Sequence, residues 1–328
     1  MIRLRRLVSL FGALLLAACA TAPAPGAPTP AGAWSPVEVE VRPVGLGIPG
    51  GVRLAPGVRF AGGFELVADR DSPFHSLSDL KEHRDWVYAV SDAGALFRFR
   101  IGEDAATHEP LRPIRLEGRA LTMPDGRPIT DKTDGDAEGL AVTTAGELLI
   151  SFERDHRIWN YGPPAAPRPD PAALPSPDFA FPLNDGMEAI SIAPRGWRVA
   201  GESGGVWDCT RQACRVVVAP PAEPIPDSEY RITGMDRDRS GDGFWVVERR
   251  FRPPVDVRGR VRRMAADGTL GPVLVELSLP STVDNFEGIA AVGRRGGVRL
   301  YILSDDNNSA RQRTLLLAFD VQATGSRQ

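Results

Sequence analysis

Residues 136–153 read DAEGLAVTTAGELLISFE. An acid followed by Gly opens a short apolar segment, a Gly-containing turn follows at Ala145-Gly146, and a second apolar run ends in another acid, Glu153. Two short β-prone runs joined by a Gly turn make a hairpin. The same arrangement recurs along the chain. Ser78-Asp79-Leu80, Glu138-Gly139-Leu140, Glu188-Ala189-Ile190, Thr233-Gly234-Met235 and Glu287-Gly288-Ile289 open the five copies. VYAVSD, LLISFE, RVAGE, FWVVE and LYILSD close them at Asp92, Glu153, Glu202, Glu248 and Asp305. The closing acids lie 61, 49, 46 and 57 residues apart.

A strand–turn–strand unit repeating about every 50 residues is the pattern of propeller blades. The expectation is an all-β, six-bladed β-propeller. Five blades carry the motif, and a sixth is assembled from both ends, with TLLLAFDV (314–321) pairing with the chain near 37–66. Closing the ring this way removes the exposed edges that an open sheet suffers. With 34 Gly and 30 Pro among 328 residues, turns are frequent and helical bundles are excluded. A net charge of −3 offers no broad basic surface, so nucleic acid is not an expected partner.

The first residues read differently. MIRLRR carries three Arg, and LVSLFGALLLAA (7–18) carries no charge, the form of a secretory leader. It ends in Leu16-Ala17-Ala18-Cys19, which resembles a bacterial lipobox. The expected organisation is a signal peptide over 1–18, a lipidated Cys19 with a Pro/Ala-rich spacer over 19–36, and one propeller domain over 37–328. Ala20 after the lipidated Cys points to the outer membrane, facing the periplasm, with the lipid as the sole membrane contact and a monomeric domain. Cys209 and Cys214 lie close together in an exported chain and are expected to form a local disulfide.

Three longer stretches carry a resemblance. Asp136-Ala137-Glu138-Gly139-Leu140-Ala141 followed by LLISFERDHRIW is the first, and NDGMEAISIA (184–193) is the second. The third is DNFEGIAAV with LYILSDDNNSARQRTLLLAF near the C-terminus. Together they resemble the phytase-like, "esterase-like activity of phytase" family of exported bacterial proteins, over about residues 60 to 321. The resemblance implies a propeller-like fold and hydrolysis of phosphate or carboxylic esters. The chain shows no match to the dense Asp and Lys/Arg clusters with which calcium-dependent propeller phytases surround their ions.

A residue repeated once per blade forms a ring around the central channel. Glu138, Glu188 and Glu287 belong to one such ring, and Asp92, Glu153, Glu202, Glu248 and Asp305 to a second. Converging carboxylates need protons, Arg partners or a cation. Hard oxygen donors in this number suit Ca²⁺, with Glu138, Glu188, Glu287, Asp305 and Asn285 as candidate ligands. Glu138, Glu188, Glu287 and His156 are also the candidate acid–base groups. Alternatively the acids pair with Arg154, Arg249 and Arg311 as a structural network, and Asp306-Asn307-Asn308 are a turn. Gly201-Glu202-Ser203-Gly204-Gly205 matches the nucleophile-elbow pattern, but a hairpin follows it and all four His precede Ser203, so it reads as a turn. The alternating Arg258–Arg263 run reads as a solvated strand face.

The function expected from the sequence is an envelope-anchored hydrolase acting on a small ester or phosphoester, with a divalent ion in the channel as its candidate cofactor. A non-catalytic binding propeller and a calcium-dependent lactonase are the alternatives.

Overall fold

A computed structural model describes residues 32–104, 107–110 and 112–323. The expected signal peptide and Cys19 lie outside the described residues. The described residues form five antiparallel sheets and one four-residue helix, Lys132–Gly135. Among the described residues no helix is long and apolar enough to cross a membrane. Each sheet is one blade of a propeller. Their innermost strands are Leu77–His83, Ala137–Val142, Ala189–Ala193, Arg231–Arg237 and Asn285–Arg294, one for each copy of the motif.

Five blades, rather than the expected six, complete the fold. The C-terminal strand Leu315–Gln322 does pair with Val58–Val67, and Glu40–Pro43 lies beyond it. These strands finish the fifth blade instead of building a sixth. The extra length is spent on blade edges: Val52–Leu54 extends the fourth blade and Ser35–Pro36 the first. Trp34, at the end of the spacer, donates its indole N–H to Ala165 O at 3.0 Å.

Alternating apolar residues on each strand fill the spaces between neighbouring blades, so the core is divided into five wedges. Leu80, Phe97, Ala290 and Tyr301 share the wedge between the fifth and first blades, and Ile150, Leu140 and Tyr88 that between the first and second. Trp197 and Leu149, Met235 and Phe244, and Val247 and Ile302 belong to the remaining three.

Toward the axis the strands approach too closely for side chains. A β-carbon at Gly139 would stand 2.6 Å from Glu188 O, and one at Gly234 2.3 Å from Glu287 O. Only Gly permits that backbone approach. In the first blade the equivalent residue is Asp79, fully buried, and its carboxylate joins three blades. It accepts from Leu140 N of the second blade at 3.0 Å, from Ile289 N of the fifth at 3.4 Å, and from Lys81 Nζ at 2.5 Å. Burial raises the Asp79 carboxyl to about 7 despite Lys81. Asp236 does the corresponding work across the ring, accepting from Ala291 N at 2.7 Å and Ser191 Oγ at 3.3 Å.

Asp79→Asn leaves Lys81 buried without its counter-charge and is expected to cost about 3–5 kcal/mol in chemical denaturation. Asp79→Asn/Lys81→Met should recover much of that loss. A single variant within about 1 kcal/mol of wild type would refute the clamp.

Candidate functional site

The motif acids Glu138 and Glu287 are delivered by a break in strand register, and Ser78 and Thr233 occupy the same break in their blades. Between the two inner strands the pairing skips Ser78, Glu138, Thr233 and Glu287 in the first, second, fourth and fifth blades. Such a bulge inserts one unpaired residue and re-aims its side chain. The start of an inner strand lies beside the end of the second strand, so the acids that close the motif reach the same end of the channel. The two expected rings are therefore two tiers of one mouth.

In the second tier, the Asp92, Glu153 and Glu202 amides bond to the carbonyls of Ser76, Asp136 and Gly186, and Asp305 pairs with Asn285. In the fourth blade the residue in this register is Arg249, opposite Arg231. Glu248 sits one residue earlier, points away from the mouth and takes Arg260 in a two-point pair at 2.7 and 2.8 Å. The expectation for Glu248 is thus corrected by a one-residue register difference, which moves a strand side chain to the other face. Arg260 is half-buried against Tyr230, at 3.6 Å from its ring centre, so the Arg258–Arg263 run is not simply a solvated face.

The mouth gathers Asp92, Asp136, Glu138, Glu153, Glu188, Glu202, Glu287 and Asp305, all at most 9% exposed. Four cations serve them. Lys132 Nζ is 2.5 Å from Asp92 Oδ2, and Arg154 Nε 2.6 Å from Asp136 Oδ2. Arg249 reaches Glu202 at 2.7 Å, and Arg231 binds Glu202 at 2.8 Å together with Asp185 and Asp227. Glu153 accepts from Gly186 N at 2.9 Å, and Glu287 from Asn285 Nδ2 at 2.7 Å. Among the described residues the carboxylates of Glu138 and Glu188 have no hydrogen-bond donor and no ion pair. Asp136 Oδ1 is buried without a hydrogen bond, 3.2 Å from Lys132 Nζ.

Burial and mutual repulsion raise several of these carboxyls. Glu138 is held well above the usual carboxylate range by burial and by Asp136, Glu153, Glu287 and Asp92. Glu188 is raised by burial and by Glu138, Glu202 and Glu153. Asp305 is raised by burial and Glu287. Glu153 and Glu287 are pushed to about 7, chiefly by burial. Ligand oxygens of Asp136, Glu138 and Glu153 all lie within 4.8 Å of one another, a grouping able to hold a metal ion.

The other candidates fall into place around this mouth. Asp305 accepts from Asn307 N at 2.6 Å, and Asp306 from Ser76 N and Asn308 N, so Asp306-Asn307-Asn308 form a turn that also ties the fifth blade to the first. His156 packs on Phe181 with ring centres 5.2 Å apart, and its Nε2 is 3.0 Å from Pro182 O. It braces the rim beside Gly186 rather than joining the carboxylates. Gly201–Gly205 is a turn between strands Gly196–Ala200 and Val206–Cys209, with positive φ at Gly204 and Gly205, and no helix follows Ser203. Cys209 and Cys214 form the expected disulfide across the outer two strands of the third blade. The repeat did not single out Asp136 or Arg231 as part of the mouth, although Asp136 lies two residues before one motif; Arg249, directly after another, was named only as a partner for the acids.

The family model for Phytase-like, esterase-like activity of phytase, matches residues 72–308. Similar solved structures include a putative gluconolactonase, with 14% identity over 88% of this chain and 94% of that one and a TM-score of 0.43. A protein of unknown function from Bacteroides thetaiotaomicron matches at 10% identity over 87% and 75%, with a TM-score of 0.48. The Malassezia sympodialis allergen Mala s 1 matches at 11% over 84% and 93%, with a TM-score of 0.44. No chemistry is transferred from these structures. No curated protein matches the chain.

The raised carboxyls fix a pH dependence. Glu153 and Glu287 hold protons in the folded state up to about pH 7 but in the unfolded chain only to about 4.5. Their folded state binds more protons across that window, so stability falls as pH rises through it and is lowest above about 7. In chelator, the melting temperature should be roughly 5 °C or more higher at pH 5.5 than at pH 8. A higher value at pH 8 would contradict the crowding of charge.

Proposed function

The chain belongs to the phytase-like, esterase-like activity of phytase family, and on that premise we propose that it hydrolyses phosphate or carboxylic esters, lactones included, at the acidic mouth with a divalent cation. The observation that carries this reading is that Glu138 and Glu188 are buried at the mouth with, among the described residues, neither a hydrogen-bond donor nor an ion pair. A fold that only needed inter-blade pairs would leave no such carboxylates, because an uncompensated buried charge is costly. The donor set fits a hard ion: Asp136, Glu138 and Glu153 would hold it, with Glu188, Glu287, Asp305 and the Asn285 amide oxygen as further donors. Oxygen-only ligation in this number suits Ca²⁺ over softer metals.

A bound divalent ion supplies Lewis-acid polarisation of a carbonyl or phosphoryl oxygen and acidifies bound water. The chain's own residues do the rest. Arg249, held by Glu202, presents its guanidinium at the mouth between Glu202 and Glu287, where it meets an anionic substrate oxygen. Without the cation Glu153 and Glu287 are both held at about 7 by burial; of the two, Glu287 stands outside the Asp136–Glu138–Glu153 group and would be the one to exchange a proton with water or leaving group. Burial of the mouth strengthens each of these electrostatic contacts. Lipidated at Cys19, the domain would work at the outer membrane, facing the periplasm.

The competing reading is a non-catalytic binding propeller, favoured by the Arg154–Asp136 and Arg249–Glu202 pairs, which tie the acids into the structure. Calcium titration separates the two. Ca²⁺ at about 100 times its Kd should stabilise the protein by about 2.7 kcal/mol. Glu138→Gln and Glu188→Gln should abolish that response, leave the chelated protein as stable or more so, and cut hydrolysis of 4-nitrophenyl phosphate, 4-nitrophenyl acetate or a lactone by about 100-fold. Hydrolysis that survives chelation would overturn the cation's role, and its absence on all three substrates with Ca²⁺ bound would overturn the enzymatic reading.

A further inference from the structure

The end of the propeller opposite the acids is basic. Here lie the turns that follow each inner strand. Arg84, Arg195, Arg239 and Arg295 stand on those of the first, third, fourth and fifth blades, all exposed and, among the described residues, without an ion pair.

Between the fourth and fifth blades this end opens into a cavity of about 690 Å³. Arg237, Arg239, Arg263, Arg294, Ser240 and Trp245 are among its lining residues, and Asp238 is the one carboxylate there. The cavity is built rather than incidental. Arg237 donates to the carbonyls of Gly241 and Asp242 at 2.9 and 3.1 Å, and Arg263 to Asp238 at 2.6 Å, which fixes the Asp238–Gly243 turn between two guanidiniums. Arg294 is held from outside by Glu103. Two buried donors stand in its wall: among the described residues the Trp245 indole N–H and Arg294 Nε have no acceptor, and neither atom is open to the cavity.

We propose that this cavity is a binding site for a phosphate group carried on a small organic molecule, separate from the acidic mouth. A tetrahedral oxyanion of charge near −2 accepts from several donors at once, which suits convergent guanidiniums better than a single carboxylate would. The volume exceeds what a bare phosphate fills and lies in the range of small-molecule pockets. Arg239, exposed and without an ion pair among the described residues, is placed to close on the ligand.

The test is calorimetric titration of the full protein, in chelator, with glucose 6-phosphate, inorganic phosphate and glucose. The site predicts saturable binding of glucose 6-phosphate and none of glucose, weakened about 10-fold or more by Arg239→Ala, an exposed position whose loss does not threaten folding. Glu138→Gln at the other mouth should change nothing. Tighter binding of the sugar phosphate supports an organic phosphate as ligand, whereas equal or tighter binding of inorganic phosphate overturns that part of the assignment. Absence of saturation to about 10 mM, or binding that responds to Glu138→Gln and not to Arg239→Ala, overturns the site.

Discussion

Five inner strands converge until their backbones nearly touch, and that approach governs both the fold and the mouth. No β-carbon fits at Gly139 or Gly234. A strand that must present glycine to its neighbour has its next side chain displaced by a bulge into the only open space, the channel. The acids at Glu138 and Glu287 are therefore consequences of the packing that closes the ring. The first blade takes another solution, placing Asp79 at the glycine position and using its carboxylate to bind the blades on either side.

That geometry concentrates charge of one sign. Eight carboxylates share the mouth with Lys132, Arg154, Arg231 and Arg249, and burial magnifies their repulsion. The fourth blade relieves it by departing from the repeat: Thr233 replaces the motif Glu, and Arg249 stands where the other blades place acids. The mouth is consequently asymmetric, with unneutralised oxygens on one side and guanidiniums on the other. At the opposite end, arginines on the inner turns give the molecule a basic face. One ring thus offers two chemically opposite surfaces, one suited to a cation and one to an anion.

Much of this was legible in the sequence because the repeat reports the inner strands directly. Acid-Gly-aliphatic marks the bulge, and the acid after the next apolar run marks the same end of the blade. Counting blades from length failed, since outer strands come from distant segments such as Val52–Leu54 and carry no motif. Glu248 was misplaced because spacing alone does not resolve a one-residue shift; register does, and it puts Arg249 at the mouth. The phosphate cavity left no local signal, being assembled from turns of two blades more than 50 residues apart in sequence. His156 looked like a base by residue type, yet its ring is committed to Phe181 and Pro182.

The central claim is that the acidic mouth is a cation site. Anomalous diffraction from crystals grown with Mn²⁺ or Tb³⁺ in place of Ca²⁺ tests it most directly. The account expects one strong peak within bonding distance of oxygens from Asp136, Glu138 and Glu153, with Glu188 or Glu287 turned toward it. A mouth without a peak, in which Glu138 and Glu188 share protons with neighbouring carboxylates, would contradict it.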